Sequence, residues 1–270
     1  MGRQCTICRV TIVYAHRGAR MELPENTMPA FRRALELGAD ALEIDCHMTK
    51  DGVIVVSHDD TGERMAGVRR AIKDESFASV SDWDVARGFH AKTGSPALDG
   101  HARFRVPELA EVLSELPDVF LNIDAKQEVP DMIPTLLRVL RKHDATKRVR
   151  VASFSDANLR RIRRLGYEGE TSLGPQEVAL VRALPERLLR ALKLTGKRAQ
   201  IPRKQGPIAL DTSAFIAKCH ALGVGVDYWT INDPSEAMEL SRRGADGVVT
   251  DDPRAIISVL AAGRAPSTTL

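Results

Sequence analysis

The chain has 270 residues, 43% hydrophobic and 28% charged, the balance of an ordinary globular protein long enough for one large α/β domain. A formal net charge of +3 is too small to argue for a nucleic-acid partner, and no apolar run approaches the roughly 20 residues of a membrane span. The N-terminal apolar stretch is too short for a secretory signal, which with cysteines in no complete framework gives the expectation of a cytoplasmic protein with reduced thiols.

Cys5 and Cys8 come first, with the spacing of half a zinc or redox motif and no second half to complete it. The first strand is expected at 10–15 (VTIVYA). Further strand-like runs lie at 41–48, 53–58, 119–126, 148–153, 198–202, 224–231 and 246–251. Helical patterns fall between most of them, at 26–37, 107–115, 130–143, 155–165, 176–194, 211–222, 233–243 and 252–262. About eight strand–helix repeats imply a parallel sheet with right-handed crossovers. The count and the length predict a (β/α)8 TIM barrel rather than an open doubly wound sheet, whose glycine-rich fingerprint is missing after the first strand. Residues 1–270 thus read as a single TIM-barrel catalytic domain, α/β in class. A short insertion at 59–106, after the second strand region, is expected to cover one mouth, and the tail 263–270 to be flexible.

Alternation along a strand assigns side chains to faces. In ALEIDCH, Leu42, Ile44 and Cys46 face one way and Glu43, Asp45 and His47 the other. In LNIDAK, Asn122, Asp124 and Lys126 share a face opposite Leu121, Ile123 and Ala125. Three carboxylates and an ammonium are therefore expected inside the barrel. Like charges about 4 Å apart repel by roughly 4 kcal/mol at an effective dielectric near 20, and a hard dication such as Mg²⁺ or Ca²⁺ resolves that conflict. The alternative is an internal salt-bridge cluster around Lys126 and Arg17.

His16 and His58 each end a strand-like run, where barrels keep their chemistry, and two imidazoles can give and take protons within one cycle. His47 continues the inward face in a supporting role, while His90, His101, His143 and His220 have no acidic partner at useful spacing. Trp229 stands at a strand end, suited to lining a pocket. Leu180, Leu184, Leu188 and Leu192 make a helical stripe beside Arg182, Arg187, Arg190 and Lys193, interrupted by Pro185. That pattern suits an outer barrel helix, with peripheral membrane contact as the second reading.

These residues bring the chain close to a known family. HRG followed by PENT, then ALEIDCHMTKDGVIVVSHD, LNIDAK, AQIP, DYWTIND and GADGVVTDDP, resembles the glycerophosphodiester phosphodiesterases in order from residue 13 to about 257. The resemblance implies a metal-dependent barrel that hydrolyses glycerophosphodiesters, small-molecule substrates, to glycerol 3-phosphate and an alcohol. It implies His16 and His58 as the acid–base pair, with Arg17 and Lys126 on the phosphate and Trp229 in the substrate pocket. Glu43, Asp45 and Asp124 would hold one Mg²⁺ or Ca²⁺, Asn26 would cap the helix beginning near Thr27, and Glu25 would steady Arg17. Two positions depart from the family pattern: Asp124 stands where glutamate is usual, and Glu108 replaces a threonine. A lyase or phosphotransferase forming a cyclic phosphate, and a non-catalytic phosphate-binding barrel, are the competing readings. Nothing in the sequence specifies an oligomeric state.

Overall fold

The computed structural model describes residues 11–93, 104–192 and 194–262. Cys5, Cys8, His101, Lys193 and the tail 263–270 lie outside the described residues. Eight parallel strands form the centre: β1 (Ile12–His16), β2 (Ala41–Met48), β3 (Phe120–Ala125), β4 (Val149–Ala152), β5 (Glu170–Thr171), β6 (Arg198–Ile201), β7 (Gly225–Tyr228) and β8 (Gly247–Thr250). Their hydrogen-bonded order is β5-β4-β3-β2-β1-β8-β7-β6, and a parallel bridge from Ser172 to Arg198 joins the two ends. The sheet closes as the expected TIM barrel.

Among the described residues, nine α-helices outside the insertion lie between and after the strands. They are α1 (Met28–Glu36), α2 (Leu109–Glu115), α3 (Ile133–Lys142), α4 (Asp156–Arg164), α5 (Pro175–Ala183), α6 (Glu186–Leu192), α7 (Ser213–Ala221), α8 (Pro234–Arg243) and α9 (Pro253–Ala262). Side-chain caps start several: Thr27 on α1, Ser155 on α4, Thr212 on α7 and Asp233 on α8 each accept from a backbone N–H of the first turn. No described helix is long and apolar enough to cross a membrane.

The outward strand faces supply the core. Leu42, Ile44, Cys46, Leu121, Ile123 and Ala125 pack in one buried cluster with Phe31 and Ala34 of α1, Leu109 of α2 and Leu136 of α3. Burying such an aliphatic side chain contributes about 1.5–3 kcal/mol, and this layer orients the opposite, charged faces toward the barrel axis.

Two expected elements need correction. The run 53–58 is not a barrel strand, because Ile54–Val56 folds back antiparallel on the end of β2, pairing Cys46 with Val56 and Met48 with Ile54. The turn at Asp51-Gly52 is far too short for a parallel crossover. The eighth strand is β5, only two residues long and invisible as an apolar run. The pattern 176–194 is two helices, α5 and α6, separated at Pro185, which cannot donate an intrahelical hydrogen bond. Val181 and Leu189 are their buried contacts, and Leu180, Leu188 and Leu192 of the stripe are exposed.

The insertion, where described, carries a strand pair Thr61–Gly62 with Val68–Ala71 and a small core that includes Ala66, Ile72, Val80 and Trp83. At the opposite, N-terminal end of the barrel, buried charges pair: Arg198 Nε lies 3.1 Å from Asp227 Oδ2 and its Nη2 2.9 Å from Oδ1. Arg150 Nη1 donates to the Tyr14 hydroxyl at 2.8 Å and sits 3.6 Å from Asp227. His220, expected to lack an acidic partner, has Asp246 at 2.7 Å, a pairing across 26 residues of sequence.

Candidate active site

The site begins at the corner between β1 and α1. Arg17 and Asn26 adopt left-handed backbone conformations, φ 59° and 56°, a region sparsely populated for arginine and tolerated better by asparagine. Hydrogen bonds hold them there: Arg17 N donates to Glu43 O at 2.8 Å and Asn26 N to Arg17 O at 3.0 Å. Gly18 follows at φ 82°, and a Cβ there would stand 2.7 Å from the Ala30 carbonyl carbon, so only glycine lets the corner approach α1. The outcome is a guanidinium turned inward. Arg17 Nη1 donates to Glu25 Oε1 at 2.9 Å, and its Nε lies 3.0 Å from Asp45 Oδ2.

Glu25 steadies Arg17 as expected. Burial alone would raise its pKa, but the hydrogen bond from Arg64 and the charges of Arg17, Arg20 and Arg64 bring it down to about 2. Asn26 does not cap α1; Thr27 does, and Asn26 Nδ2 instead donates to Asp45 Oδ2 at 3.1 Å.

Strand register builds the next layer. His16 pairs with Glu43, Glu43 with Asn122, and Asp45 with Asp124, so the inward faces of β1, β2 and β3 meet side by side. Lys126 Nζ lies 2.6 Å from Asp124 Oδ2 and 3.0 Å from Asp45 Oδ1. Against the opposing effect of burial, Lys126 and Arg17 hold the Asp45 carboxyl below its usual range. Burial, reinforced by Asp45 and Asp124, pushes Glu43 well above the usual carboxylate range.

The expected trio is thus compensated in part by protein cations, as the salt-bridge alternative holds. Among the described residues no three His, Cys, Asp or Glu side chains are already grouped to enclose an ion. Glu43 Oε2 and Asp124 Oδ1 are nonetheless buried with no hydrogen-bond partner, which leaves two hard oxygen donors unsatisfied beside the cavity. That donor chemistry fits Mg²⁺ or Ca²⁺.

Both histidines reach the same rim. His16 Nδ1 sits 2.6 Å from Asp251 Oδ1, and its Nε2 is 3.8 Å from Glu43 Oε2. Burial lowers the His16 pKa, opposed by the Asp251 hydrogen bond. Asp251 also accepts from Arg20 at 3.2 Å and Asn232 at 2.9 Å; these groups with His16 overcome burial and hold it at about 2. His58 Nδ1 sits 2.8 Å from Asp59 Oδ1, Arg64 Nε donates to Asp59 Oδ2 at 2.6 Å, and His47 Nε2 lies 3.2 Å from the His58 carbonyl. A carboxylate at Nδ1 fixes the proton there and leaves Nε2 for exchange.

A cavity of about 410 Å³ is lined by the eight residues expected from the sequence to carry catalysis, substrate or metal, His16, Arg17, Glu43, Asp45, His58, Asp124, Lys126 and Trp229, while Glu25, Asn26 and His47, also singled out there, do not line it. Trp229 meets Phe154 edge to face, ring centroids 5.6 Å apart. Sequence reasoning missed Asp251, Asp59, Arg20, Arg64 and the contact of Asn26 with Asp45. Asp59 directly follows His58 and was within reach of local reading, whereas Asp251 meets His16 across 235 residues.

A sequence model described as the Glycerophosphoryl diester phosphodiesterase family matches residues 16–255. A Glycerophosphodiester phosphodiesterase of Caldanaerobacter subterraneus is 29% identical over 259 residues, covering 94% of this chain and 99% of that one. A solved structure from Silicibacter pomeroyi bearing a glycerophosphoryl diester phosphodiesterase name superposes with a TM-score of 0.79 at 26% identity, covering 94% of each chain. The fold is also shared with an Oleispira antarctica phosphodiesterase solved in complex with the product sn-glycerol-3-phosphate, with a TM-score of 0.75 at 23% identity over 93% of this chain and 97% of that one.

Proposed function

The chain belongs to the glycerophosphoryl diester phosphodiesterase family, and on that premise we propose that it hydrolyses glycerophosphodiesters to sn-glycerol 3-phosphate and an alcohol, with His16 and His58 moving the protons. The observation that supports this reading most directly is the pair of imidazoles at one rim, each with its Nδ1 on a carboxylate: His16 on Asp251 and His58 on Asp59.

In this reading His16 is the base. It is half-buried, and desolvation lowers its pKa and favours the neutral ring near pH 7, so its Nε2 accepts the proton of the attacking oxygen as the new P–O bond forms. His58, the more open of the two, donates a proton to the alcohol oxygen as the old P–O bond breaks. Asp251 and Asp59 are positioning residues that hold the tautomers. Arg17 offers a planar fork of donors and Lys126 a point charge to the non-bridging oxygens, where negative charge grows in the transition state. Trp229 flanks the substrate.

Glu43, Asp45 and Asp124 would hold a divalent cation of the hard type, Mg²⁺ or Ca²⁺. When bound, such an ion adds positive charge at the phosphoryl oxygens. The two unsatisfied oxygens, Glu43 Oε2 and Asp124 Oδ1, support that assignment.

The test is release of glycerol 3-phosphate from a glycerophosphodiester, followed enzymatically for the wild type, His16→Ala and His58→Ala. Each variant is expected to lose turnover by at least about a hundredfold while keeping its thermal midpoint, the lower end of what general acid–base catalysis contributes. Activity near wild type in either one removes that histidine from the chemistry.

A further inference from the structure

We propose that the alcohol half of the substrate is apolar, a single hydrocarbon chain seated in one half of the cavity; this rests on the phosphodiesterase reading above and names the substrate class for the same site.

The barrel order carries the argument. Among the described residues, every charged or imidazole side chain lining the cavity comes from β1, β2, β3 or the segments that immediately follow β1, β3 and the Ile54–Val56 turn-back of β2. Because β1, β2 and β3 are neighbours in the closed sheet, those groups occupy one side of the mouth. The opposite side, from β5 round through β6 to β7, contributes Leu173, Val178, Ala179, Ile201, Leu210 and Trp229. Its polar members, such as Ser172 and Gln200, are uncharged. The cavity is therefore divided by strand position into a charged half and an apolar half.

Each half selects a part of the substrate. The phosphoryl group and the glycerol hydroxyls belong among the cations and carboxylates. What remains is the ester alcohol, and it meets aliphatic and aromatic walls. A cationic alcohol such as choline or ethanolamine finds no carboxylate there. Phe154, the aromatic nearest the border, has its ring face already approached by Lys126 Nζ at 5.6 Å from the centroid, so a second cation would meet like charge. A hydrocarbon chain instead removes apolar surface from water on both sides of the contact. At about 410 Å³ the whole cavity has room for a ligand well beyond glycerol phosphate.

The experiment measures kcat/KM for sn-glycerol 3-phosphate esters of methanol, butanol, hexanol and octanol, below their micellar concentrations, with glycerophosphocholine and a short-chain lysophosphatidylcholine alongside. The expected result is a rise of about threefold to fourfold per methylene over the first members, with the octyl ester ahead of the choline ester. Ala179→Glu, at an exposed helical position on the apolar wall, is expected to flatten that rise, and Ala179→Leu to keep it. A methyl ester turned over as fast as the octyl ester, or a choline ester preferred to both, overturns the inference and leaves the phosphodiesterase reading standing. A chain-length gain seen only when the chain sits on the glycerol also overturns it. Failure of wild-type enzyme to release glycerol 3-phosphate from any member, with divalent cation present, brings down both.

Discussion

Asp251→Asn tests the base role proposed for His16. The perturbation is nearly isosteric: it removes a charge, not a volume, at a carboxylate 2.6 Å from His16 Nδ1. Asn232 and Arg20 already donate to Asp251, and Arg20 keeps Glu25 at 3.0 Å, so the corner retains its other ties. A hydrogen bond to a charged group contributes about 1.5–3 kcal/mol, and the imidazole becomes charged only as the attacking oxygen gives up its proton. At about 1.36 kcal/mol per decade, kcat should fall about 10- to 150-fold, and further if the amide turns its N–H toward Nδ1 and reverses the tautomer. The pH profile separates this from general damage. Base catalysis needs neutral His16, so activity falls as pH drops through its pKa, which burial places below the ordinary value. Asp251 acts in the opposite sense, raising that pKa, so its removal should move the acidic limb of kcat/KM to still lower pH. The assay is glycerol 3-phosphate release across pH 4–9 with the thermal midpoint measured in parallel. A kcat within twofold of wild type and an unmoved acidic limb would refute the dyad.

Chelation should abolish turnover, with Mg²⁺ or Ca²⁺ restoring it; activity that survives exhaustive chelation removes the cation from the mechanism. Glu43→Gln should raise the half-activating cation concentration by about tenfold or more in a titration of apo-enzyme, and an unchanged value excludes Glu43 as a ligand. Asp227→Ala strands Arg198 and Arg150 at the far end of the barrel, which should cost about 3–5 kcal/mol in urea unfolding; a loss under 1 kcal/mol would mean the pairing there is incidental. Gly18→Ala forces an L side chain into φ 82° against the Ala30 backbone, so both the melting temperature and kcat should drop, and a fully active, equally stable variant contradicts the tight-corner account.

The parts of the molecule legible in the sequence are those governed by short periods. Alternation in 41–48 and 120–125 assigns the inward face of β2 and β3 correctly, because the strands run straight against a helical layer that takes every second residue. Strand–helix rhythm finds seven barrel strands, yet counts 53–58 as an eighth, since an apolar run has the same composition whether it crosses the barrel or folds back on its neighbour. β5 escapes because two residues carry no period. The stripe Leu180, Leu188 and Leu192 has a helix's spacing and still faces outward, since Pro185 divides the run into two helices whose buried contacts are Val181 and Leu189.

Face assignment says which charges share an interior and not how they are balanced. Lys126 lies two residues beyond Asp124 on the same face, so its pairing with the acids follows from strand geometry alone. Arg17 is different. Its guanidinium reaches Asp45 only because the residue after β1 sits at φ 59°, a conformation no side-chain propensity favours, held by the Glu43 carbonyl on one side and Asn26 on the other. Glu43 is beyond the hydrogen-bonding reach of either cation that serves Asp45, and its carboxyl is pushed up by the burial and the neighbouring acids that Lys126 and Arg17 offset elsewhere. The uneven compensation bears on the proposed cation site: a barrel that neutralised all three carboxylates internally would have no unsatisfied oxygens left to receive an ion, whereas this one leaves one oxygen each of Glu43 and Asp124 unsatisfied at the cavity wall, with the His16 imidazole 3.8 Å from that of Glu43.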